Sequence, residues 1–385
     1  MATTLPSCLV CGAAVEQVYH SPGPNAVDSL GKLVKGKTTV FLCAACGHLQ
    51  NTMPENIEAY YDTNYNILAD HEEEDNLYAV INGERVFRTQ HQAKVALEQV
   101  PLPKGVAVLE YGCGKALTLR HMMERRPDLD HYVFDVSRNY TNYWDQFVPK
   151  ARQASYRIPA SWHGRMDVVL SFFALEHTGD PVDFAKTVLT LLKPGGLAHL
   201  IVPNVYRNPG DMLVVDHVSH FSAPSLHRLL AAAGFEHVNI DDKVHEAAFI
   251  ITAIRPKGTA KTAAAVDPAP VVARARELAA SWNEIAKRMR AAKVAAKGQR
   301  TAIFGTAIYA MIIVAMLPDL DGIETFLDQN PFQQGKNLHG KPVIAPERLD
   351  PGIKHVFIGL NPVRAKTILA NVEGFAPEKR QLHFL

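Results

Sequence analysis

Four of the five cysteines stand in two Cys-x-x-Cys pairs, Cys8 with Cys11 and Cys43 with Cys46. Each spacing lets both thiolates reach one ion, and the glycine after each pair permits a tight turn with positive φ. Four thiolates suit a closed, structural zinc site, because a catalytic site would keep an open position. The sequence therefore predicts structural Zn²⁺ held by these four cysteines, with a small hairpin in the long segment between the pairs. The alternative is two unrelated reduced cysteine pairs.

A second group with chemical potential is a glycine loop between an apolar strand and a helix. The strand runs into Glu110, and Gly112 and Gly114 follow, with Cys113 between them. Such glycines let the backbone approach a nucleotide-like ligand closely. About 20 residues further on, Asp135 ends the next strand, where a carboxylate can accept hydrogen bonds from ribose hydroxyls. The alternative for Asp135 is a surface residue at a strand end. We interpret Cys113 as a small loop residue rather than a nucleophile.

Histidines follow two later strands. His177 comes after the buried strand that begins at Met166, and His217 and His220 lie in a turn-rich cluster that includes Asp216. Histidine is the side chain whose pKa lies closest to neutrality, so it is a natural general base. The alternatives are that these histidines only hydrogen-bond loop backbone or cap a helix.

Composition places these groups in an ordinary globular α/β protein. The chain has 385 residues, 47% apolar and 21% charged, so two or three domains are expected. A net charge of +1 gives no field that would recruit nucleic acid. We see no apolar run of about 18 residues that could cross a membrane. The first cysteine pair comes too early for a signal peptide, so we expect a cytoplasmic protein.

Four stretches differ in character. Residues 1–70 hold the cysteine pairs, and residues 78–255 alternate strand-like and helix-like segments, the pattern of a parallel α/β sheet. Residues 256–300 form a linker and a surface helix, predicted over Val271–Lys297. Residues 301–385 return to α/β alternation, which predicts a second Rossmann-like domain.

The order of motifs in the central stretch resembles the class I methyltransferases that use S-adenosylmethionine (SAM). The glycine loop and Asp135 are followed by "FALEH" after the fourth strand and "LLKPGG" before the fifth, with Ala116 at the third position of the glycine triplet. A Rossmann dehydrogenase is the rival, but it would not be expected to carry both later motifs. The resemblance implies SAM as cofactor. Glu110 would meet its cationic amino group and Asp135 its ribose, and the expected cofactor-binding set is Glu110, Gly112, Gly114, Asp135 and Phe172.

The flanking parts are similar to the zinc-binding sugar C-methyltransferases of deoxysugar biosynthesis. That family has two cysteine knuckles, a SAM domain and a C-terminal Rossmann-like domain. The run "LDQNPFQQGKNLHGKPVIAPE" is similar to its C-terminal signature. The resemblance implies a nucleotide-linked sugar as acceptor and methylation of a carbon next to a keto group.

The same resemblance implies roles at the acceptor. His217 falls on the position of the family's base, and Asp216, where the family has glutamate, could orient its imidazole. His177 matches a histidine next to the substrate, and Tyr65 resembles the tyrosine on a segment that covers the site. Simple packing is the alternative for Tyr65. Val214 stands where the family has a further tyrosine, which weakens the set that stabilises an enolate.

Three other functions stay open. A sugar or glycan O-methyltransferase needs only a base near a hydroxyl group. An RNA methyltransferase could use the zinc module as a binding arm, although the balanced charge weighs against nucleic acid. A non-catalytic SAM-binding protein is the third, and the complete glycine loop and acidic strand end count against it.

Overall fold

The computed structural model describes residues 6–52, 75, 77–81, 84–258, 266–372 and 374–385. Within these ranges the chain forms three larger sheets with helices packed against them, so the predicted α/β class is confirmed. No helix in this described part is both long and apolar enough to cross a membrane.

The N-terminal sheet is antiparallel and carries the second cysteine pair between two of its strands. The strands in this region are β1 (Glu16–His20), β2 (Asn25–Val27), β3 (Leu33–Lys35), β4 (Thr39–Leu42) and β5 (Leu49–Asn51). β1, β4 and β5 are neighbours in the sheet, and β2 pairs with β3 as a hairpin. This confirms the hairpin predicted between the cysteine pairs. Gly12 and Gly47 have φ angles of 72° and 71°, as the tight turn after each pair requires.

The central part of the chain alternates strands and helices between residues 77 and 254. Its elements are β6 (Leu77–Ile81), β7 (Glu84–Phe87), α1 (Arg88–Gln99), β8 (Ala107–Tyr111), α2 (Leu117–Arg125), β9 (Asp130–Asp135), α3 (Thr141–Trp144), β10 (Gln153–Ser155), β11 (Met166–Phe172), α4 (Pro181–Leu191), β12 (Leu192–Pro203), β13 (Ser219–His220), α5 (Ala223–Ala233), β14 (Glu236–Asp241) and β15 (Ala248–Ile254). The sheet order is β10-β9-β8-β11-β12-β15-β14, and of these described strands β15 alone runs antiparallel to its neighbours. The short strand β13 instead joins the N-terminal sheet beside β5.

The motif "LLKPGG" adopts a different local structure from the one we predicted. We expected a helix end, a separate turn and then a strand, but β12 begins directly after α4. Met166 pairs with Leu192 and Val168 with Leu197, so the residues between Leu192 and Leu197 bulge out of the ladder. Gly195, with a φ of 84°, lies in this bulge, where a residue with a Cβ would be strained.

The C-terminal part is a second sheet preceded by a long helix. Its elements are α6 (Ala269–Ala295), β16 (Thr301–Phe304), α7 (Ile308–Met316), β17 (Ile323–Leu327), β18 (Asn337–Leu338), β19 (Lys341–Ile344), β20 (His355–Ile358), α8 (Ala365–Ala370) and β21 (Gln381–Phe384). The strand order is β18-β19-β17-β16-β20-β21, with only β18 antiparallel among the described strands. Helix α6 lies where the sequence predicts a helix, and one of its faces, which includes Trp282 and Met289, is buried. Strands and helices alternate after it.

The N-terminal and C-terminal parts share one apolar core. Tyr19 and Val40 of the N-terminal sheet belong to the same buried cluster as Trp282 of α6 and Met311 of α7. Burial of this shared surface stabilises the arrangement in which both parts lie against the loops that follow β12.

Candidate active site

The carboxyl ends of three neighbouring parallel strands, β8, β9 and β11, meet at one edge of the central sheet. Glu110 lies in register with Val133 of β9 and Leu170 of β11. The glycine loop leaves β8 at this edge, with φ angles of 74° at Gly112 and 49° at Gly114. Ligands of open α/β sheets bind outside the carboxyl ends of the strands, so the loop lies where a cofactor is expected.

Two buried carboxyl groups flank the loop. Glu110 accepts a hydrogen bond from the backbone N–H of Leu119 at 3.1 Å, and Asp135 accepts from the backbone N–H groups of Gly114 at 2.8 Å and Ser137 at 3.0 Å. Burial raises the pKa of Glu110 to about 8 and that of Asp135 to about 6. A ligand that brings a positive charge would offset this penalty, as the sulfonium and ammonium groups of SAM do.

The backbone of the glycine loop packs closely against protein at Gly112 and borders open space at Gly114. A Cβ at Gly112 would lie 2.7 Å from the Cβ of Ala174, so this position has no room for a side chain. A Cβ at Gly114 would meet nothing within 4 Å, which leaves space for a ligand against the backbone. Trp144 donates from its indole N–H to the carbonyl of Gly114 at 2.6 Å and fixes the loop. The residues present therefore fit SAM.

One cavity of about 1400 Å³ opens in front of this loop. Its lining includes all the predicted cofactor-binding residues and two of the predicted acceptor residues, namely Glu110, Gly112, Gly114, Asp135, Phe172, His177 and His217. The structure therefore brings the two groups that the sequence singled out to the same space. Tyr65, predicted to cover this space, lies outside the described residues.

The partner of His217 differs from the one we expected. We predicted that Asp216 orients this imidazole, but the Nδ1–H of His217 donates to a carboxylate oxygen of Asp211 at 2.8 Å. Asp211 lies in a 3₁₀ turn, Pro209–Leu213, from which the chain turns back so that residues six apart meet. His220 donates to the other oxygen of Asp211 at 3.2 Å. Asp211 thus holds both histidines of the cluster, while the Asp216 carboxylate accepts hydrogen bonds from Ser29 of the N-terminal hairpin and lies 3.8 Å from Nδ1 of His177.

Charge and burial set the protonation of this cluster. Burial disfavours a charged imidazole, but the carboxylate of Asp211 outweighs it and raises the pKa of His217 to about 9. Burial would raise the pKa of Asp211, but the charge and hydrogen bond of His217 hold it well below its usual range. At His177, burial and then the charge of His217 lower the pKa to about 4. The rings of His177 and His217 meet edge to face, with centroids 4.7 Å apart.

The N-terminal region holds the loop that carries His217. The Asp216 carboxylate accepts hydrogen bonds from the backbone N–H and the hydroxyl of Ser29, both at 2.7 Å. The side-chain amide of Asn51 donates to the carbonyls of Val214 at 2.7 Å and His217 at 3.1 Å. The loop therefore depends on β5 and the β2–β3 hairpin for its shape.

The C-terminal region holds the 3₁₀ turn that carries Asp211. The hydroxyl of Tyr309 donates to the side-chain oxygen of Asn208 at 2.6 Å and accepts from the backbone N–H of Gly210 at 3.2 Å. The indole of Trp282 donates to the carbonyl of Pro209 at 2.9 Å. Helices α6 and α7 thus fix the turn.

Glu176 is a second residue whose place the sequence did not reveal. The residue belongs to the wall of the same cavity and is 1% exposed, with both carboxyl oxygens buried. In the part of the chain that the structure describes, neither carboxyl oxygen has a hydrogen-bond partner. One of its oxygens lies within 4.8 Å of a ring nitrogen of His177 and of His217. In the sequence Glu176 is part of the run "FALEH", and an acid next to a predicted site histidine is the available signal. For Asp211 the signal was weaker, an acid six residues before His217.

The four paired cysteines form one cluster, and none of them lines this cavity. Sγ of Cys8 lies 3.6 Å from Sγ of Cys46, and Sγ of Cys11 lies 3.5 Å from that of Cys43, with all four within 4.8 Å of one another. Four mutually close thiols from two tight turns are a donor set that a tetrahedral cation such as Zn²⁺ fits. The cluster can therefore hold one metal ion.

Comparison with known proteins agrees with this geometry. Residues 84–240 match the model of a family described as a methyltransferase domain. A probable S-adenosylmethionine-dependent methyltransferase of Mycolicibacterium smegmatis is 29% identical over 138 residues, which are 34% of this chain and 52% of that protein. A ubiquinone biosynthesis O-methyltransferase of Acinetobacter baylyi is 28% identical over 115 residues, 28% of this chain and 48% of that protein. The chain thus spans about half the length of these curated relatives.

Among solved structures, an S-adenosylmethionine dependent methyltransferase from Mesorhizobium loti aligns with a TM-score of 0.35 at 17% identity, over 43% of this chain and 98% of that one. The family match falls on the stretch that holds the glycine loop. Residues 84–240 are thus similar to a methyltransferase-domain family, and part of the chain is similar to a probable SAM-dependent methyltransferase.

Proposed function

We propose that this chain transfers the methyl group of SAM to a carbon next to the keto group of a nucleotide-linked sugar. The observation that carries the proposal is the position of His217, held by Asp211 on the wall of the cavity that the SAM loop also lines. The sugar follows from the resemblance of the cysteine module and the C-terminal signature to the sugar C-methyltransferases.

In this proposal the residues at the cofactor end bind SAM through opposite charge and through close contact with the loop backbone. Glu110 would hold the cationic amino group and Asp135 the ribose hydroxyls, while Gly112 and Gly114 would let the backbone come close and Phe172 would contact the bound cofactor. SAM supplies an electrophilic methyl group on a sulfonium. The chain's own task is to hold that methyl in line with the acceptor carbon.

His217 acts as the base. With a pKa of about 9 it holds a proton at neutral pH, so the working state is the fraction that has lost it. The neutral imidazole takes the proton next to the keto group, the C–H pair becomes the C=C bond of an enolate, and the carbonyl pair moves to oxygen. The enolate carbon then bonds to the methyl, and the pair of the broken C–S bond stays on sulfur. Asp211 keeps the ring in place and stabilises the imidazolium that forms.

The remaining predicted residues receive supporting roles. His177, edge to face with His217, positions the acceptor. Asp216 holds the loop through Ser29 rather than orienting the imidazole. Tyr65 remains a proposed cover of the site.

We further propose four units: a zinc module at residues 1–70, the methyltransferase domain at 78–255, a linker and helix at 256–300, and a C-terminal domain at 301–385. The two cysteine pairs would hold structural Zn²⁺ and so brace β5, which carries the Asn51 clamp on the His217 loop. The C-terminal domain would help bind the nucleotide sugar.

A sugar O-methyltransferase is the second candidate. Val214 lies on the cavity wall where the resembled family has a tyrosine, so one group for an enolate oxygen is missing. One relative is named an O-methyltransferase. Methyl transfer to a hydroxyl group needs a base but no enolate.

The test is incubation of the purified, zinc-loaded chain with SAM carrying a carbon-13 methyl and a pool of keto and hydroxyl nucleotide sugars. Carbon-edited NMR then shows whether the new methyl is attached to carbon or oxygen. We expect a carbon-attached methyl that disappears in His217→Ala and persists in His163→Ala, a control at an exposed histidine.

An oxygen-attached methyl would replace this proposal by the O-methyltransferase. If the chain binds SAM tightly but methylates no member of the pool, the sugar proposal fails. A carbon-attached methyl that His217→Ala leaves unchanged would keep the acceptor but overturn His217 as its base.

A further inference from the structure

Removing a proton next to a ketone leaves negative charge on the ketone oxygen, which needs a hydrogen-bond donor in the site. The tyrosine of the resembled family is absent, and Val214, which stands there on the cavity wall, has no donor group. His217 is occupied as the base. We therefore consider, as candidates for this donor, the described residues of the cavity wall to which neither the resemblance nor the proposed function gives a role.

Glu176 has the geometry of such a group. It lies in the cavity wall, 1% exposed, and within the described chain both of its carboxyl oxygens lack a partner. A buried polar group without a partner costs free energy that a ligand atom can recover. An oxygen of Glu176 lies within 4.8 Å of a ring nitrogen of His217, so one acceptor can meet both residues at neighbouring atoms.

We propose that Glu176 is the oxygen-binding subsite for the acceptor: as a neutral carboxylic acid it donates a hydrogen bond to the ketone oxygen next to the carbon that His217 deprotonates. The proton of Glu176 stays on Glu176 throughout, while the proton from carbon goes to His217. This inference rests on the proposed function, because it names what binds the oxygen of a keto acceptor.

The electrostatics of the pocket agree with a neutral acid. Burial raises the pKa of Glu176 to about 8, although the charge of His217, the residue's own backbone N–H and the charge of Arg88 lower it; Asp211 raises it further. When Glu176 is neutral, it no longer supports the imidazolium of His217, so the pKa of His217 falls. In the working state, Glu176 is therefore protonated and His217 is neutral. The other titratable groups that face this cluster are His177, Asp216 and His220. A neutral acid in an apolar pocket is an established kind of oxyanion donor in other enzymes.

The test uses the full, zinc-loaded chain and two substitutions. Glu176→Gln keeps an N–H donor that does not titrate, whereas Glu176→Leu removes the donor. We expect kcat to fall roughly 10-fold in Glu176→Gln and roughly 100- to 1,000-fold in Glu176→Leu, with the dissociation constant for SAM unchanged in both. Glu124→Gln, on the exposed side of α2, is the matched control.

The pH profile separates this role from a structural one. In the wild type, kcat falls at high pH as Glu176 loses its proton, and this fall is absent in Glu176→Gln. The inference is overturned if Glu176→Leu methylates as fast as the wild type, if Glu176→Gln is slower than Glu176→Leu, or if the high-pH fall persists in Glu176→Gln. Activity that requires an added divalent cation would also overturn it, because Glu176 would then act as an ionised ligand.

A second measurement needs no acceptor. Infrared spectra of the chain with carbon-13-labelled glutamate, wild type minus Glu176→Gln near neutral pH, should contain the C=O band of a protonated carboxyl group. Its absence would overturn the inference even if the sugar is methylated. Conversely, a clear band in a chain that methylates no sugar would keep the neutral acid and place the failure in the proposed acceptor.

Discussion

The two ends of the cavity are built in different ways. At the SAM end, the hydrogen bonds that fix the site join residues close in sequence, Glu110 with Leu119 and Asp135 with Gly114. At the acceptor end, one loop is held from two distant parts of the chain, since the Asp216 carboxylate accepts from Ser29 and the N–H of Gly210 donates to Tyr309. The SAM end is formed by one edge of the central sheet, whereas the acceptor end is formed by segments from three parts of the chain. SAM binding should therefore survive changes that destroy methyl transfer.

The largest difference between the effect on methyl transfer and the effect on SAM binding is expected from disrupting the cysteine cluster. Cys46→Ser takes one thiolate from the set that would hold Zn²⁺, and structural zinc supplies much of the folding free energy of such modules. Because β5 carries Asn51, we expect methyl transfer to fall by roughly 1,000-fold or more and bound zinc to be lost. The dissociation constant for SAM should stay within a few-fold of the wild type. Calorimetric titration with SAM, zinc analysis and the methyl-transfer assay measure the three effects.

Cys113→Ala is the matched control for Cys46→Ser, because Cys113 lies in the SAM loop, outside the cluster. It should keep its zinc and its acceptor chemistry. Equal loss of SAM binding and methyl transfer in Cys46→Ser would contradict the separation of the two ends.

The next largest effect is expected at the residue that orients the base. Asp211→Asn keeps the shape but removes the charge that supports the His217 imidazolium, so kcat should fall roughly 100- to 1,000-fold. The wild-type rate rises with pH as His217 loses its proton, a loss that Asp211 opposes by raising the pKa of His217, and it falls again at higher pH as Glu176 ionises. Without the carboxylate that pKa falls, so the rise should move to lower pH while its plateau is lower. Methyl-transfer rates across pH measure both changes.

Asp216→Asn is the comparison for this pair, since its carboxylate bonds Ser29 and not the imidazole. We expect a smaller loss there and no comparable shift of the profile. A larger shift in Asp216→Asn than in Asp211→Asn would return the orienting role to Asp216.

The substitution Gly112→Ala is expected to impair the SAM end and leave the acceptor end intact. In Gly112→Ala the new Cβ would lie 2.7 Å from the Cβ of Ala174, at a φ of 74° that alanine disfavours. Strain of about 1–3 kcal/mol should weaken SAM binding by roughly 10-fold or more. Histidine NMR should show His217 titrating as in the wild type. A changed titration of His217 would mean that the two ends are coupled.

The smallest effect is expected from the C-terminal clamp. Tyr309→Phe removes a buried hydroxyl that bonds Asn208 and Gly210, which should cost about 1–2 kcal/mol of the free energy of unfolding. Because these bonds fix the turn that carries Asp211, kcat should fall a few-fold while SAM affinity is unchanged. Denaturant unfolding and steady-state kinetics measure the two. An unchanged kcat would show that α7 does not position Asp211.

The same contrast explains what could be predicted from the sequence. The glycine loop, Asp135 and the cysteine knuckles were predictable because each depends on residue types at fixed short spacings. Asp211 was missed because its contact with His217 depends on a 3₁₀ turn held by α6 and α7, and no local pattern encodes that support.

Two further outcomes follow from the same physics. The sequence predicts a turn around Gly195, where the structure has a bulge within β12. A Pro-Gly-Gly run predicts a break in regular structure but not the strand pairing on either side of it. Glu176 was visible as a letter of a motif, yet its burial without a partner is a property of the folded cavity alone.

The most direct test of the central account is proton exchange without methyl transfer. The chain is incubated in D₂O with the demethylated cofactor product and the keto nucleotide sugar, and proton NMR follows the hydrogen next to the ketone. We predict exchange of that hydrogen for deuterium by the wild type, slowed roughly 100-fold or more in Asp211→Asn and abolished in His217→Ala. Methylation of the sugar with no such exchange, or exchange that Asp211→Asn leaves unchanged, would contradict a base built from His217 and Asp211.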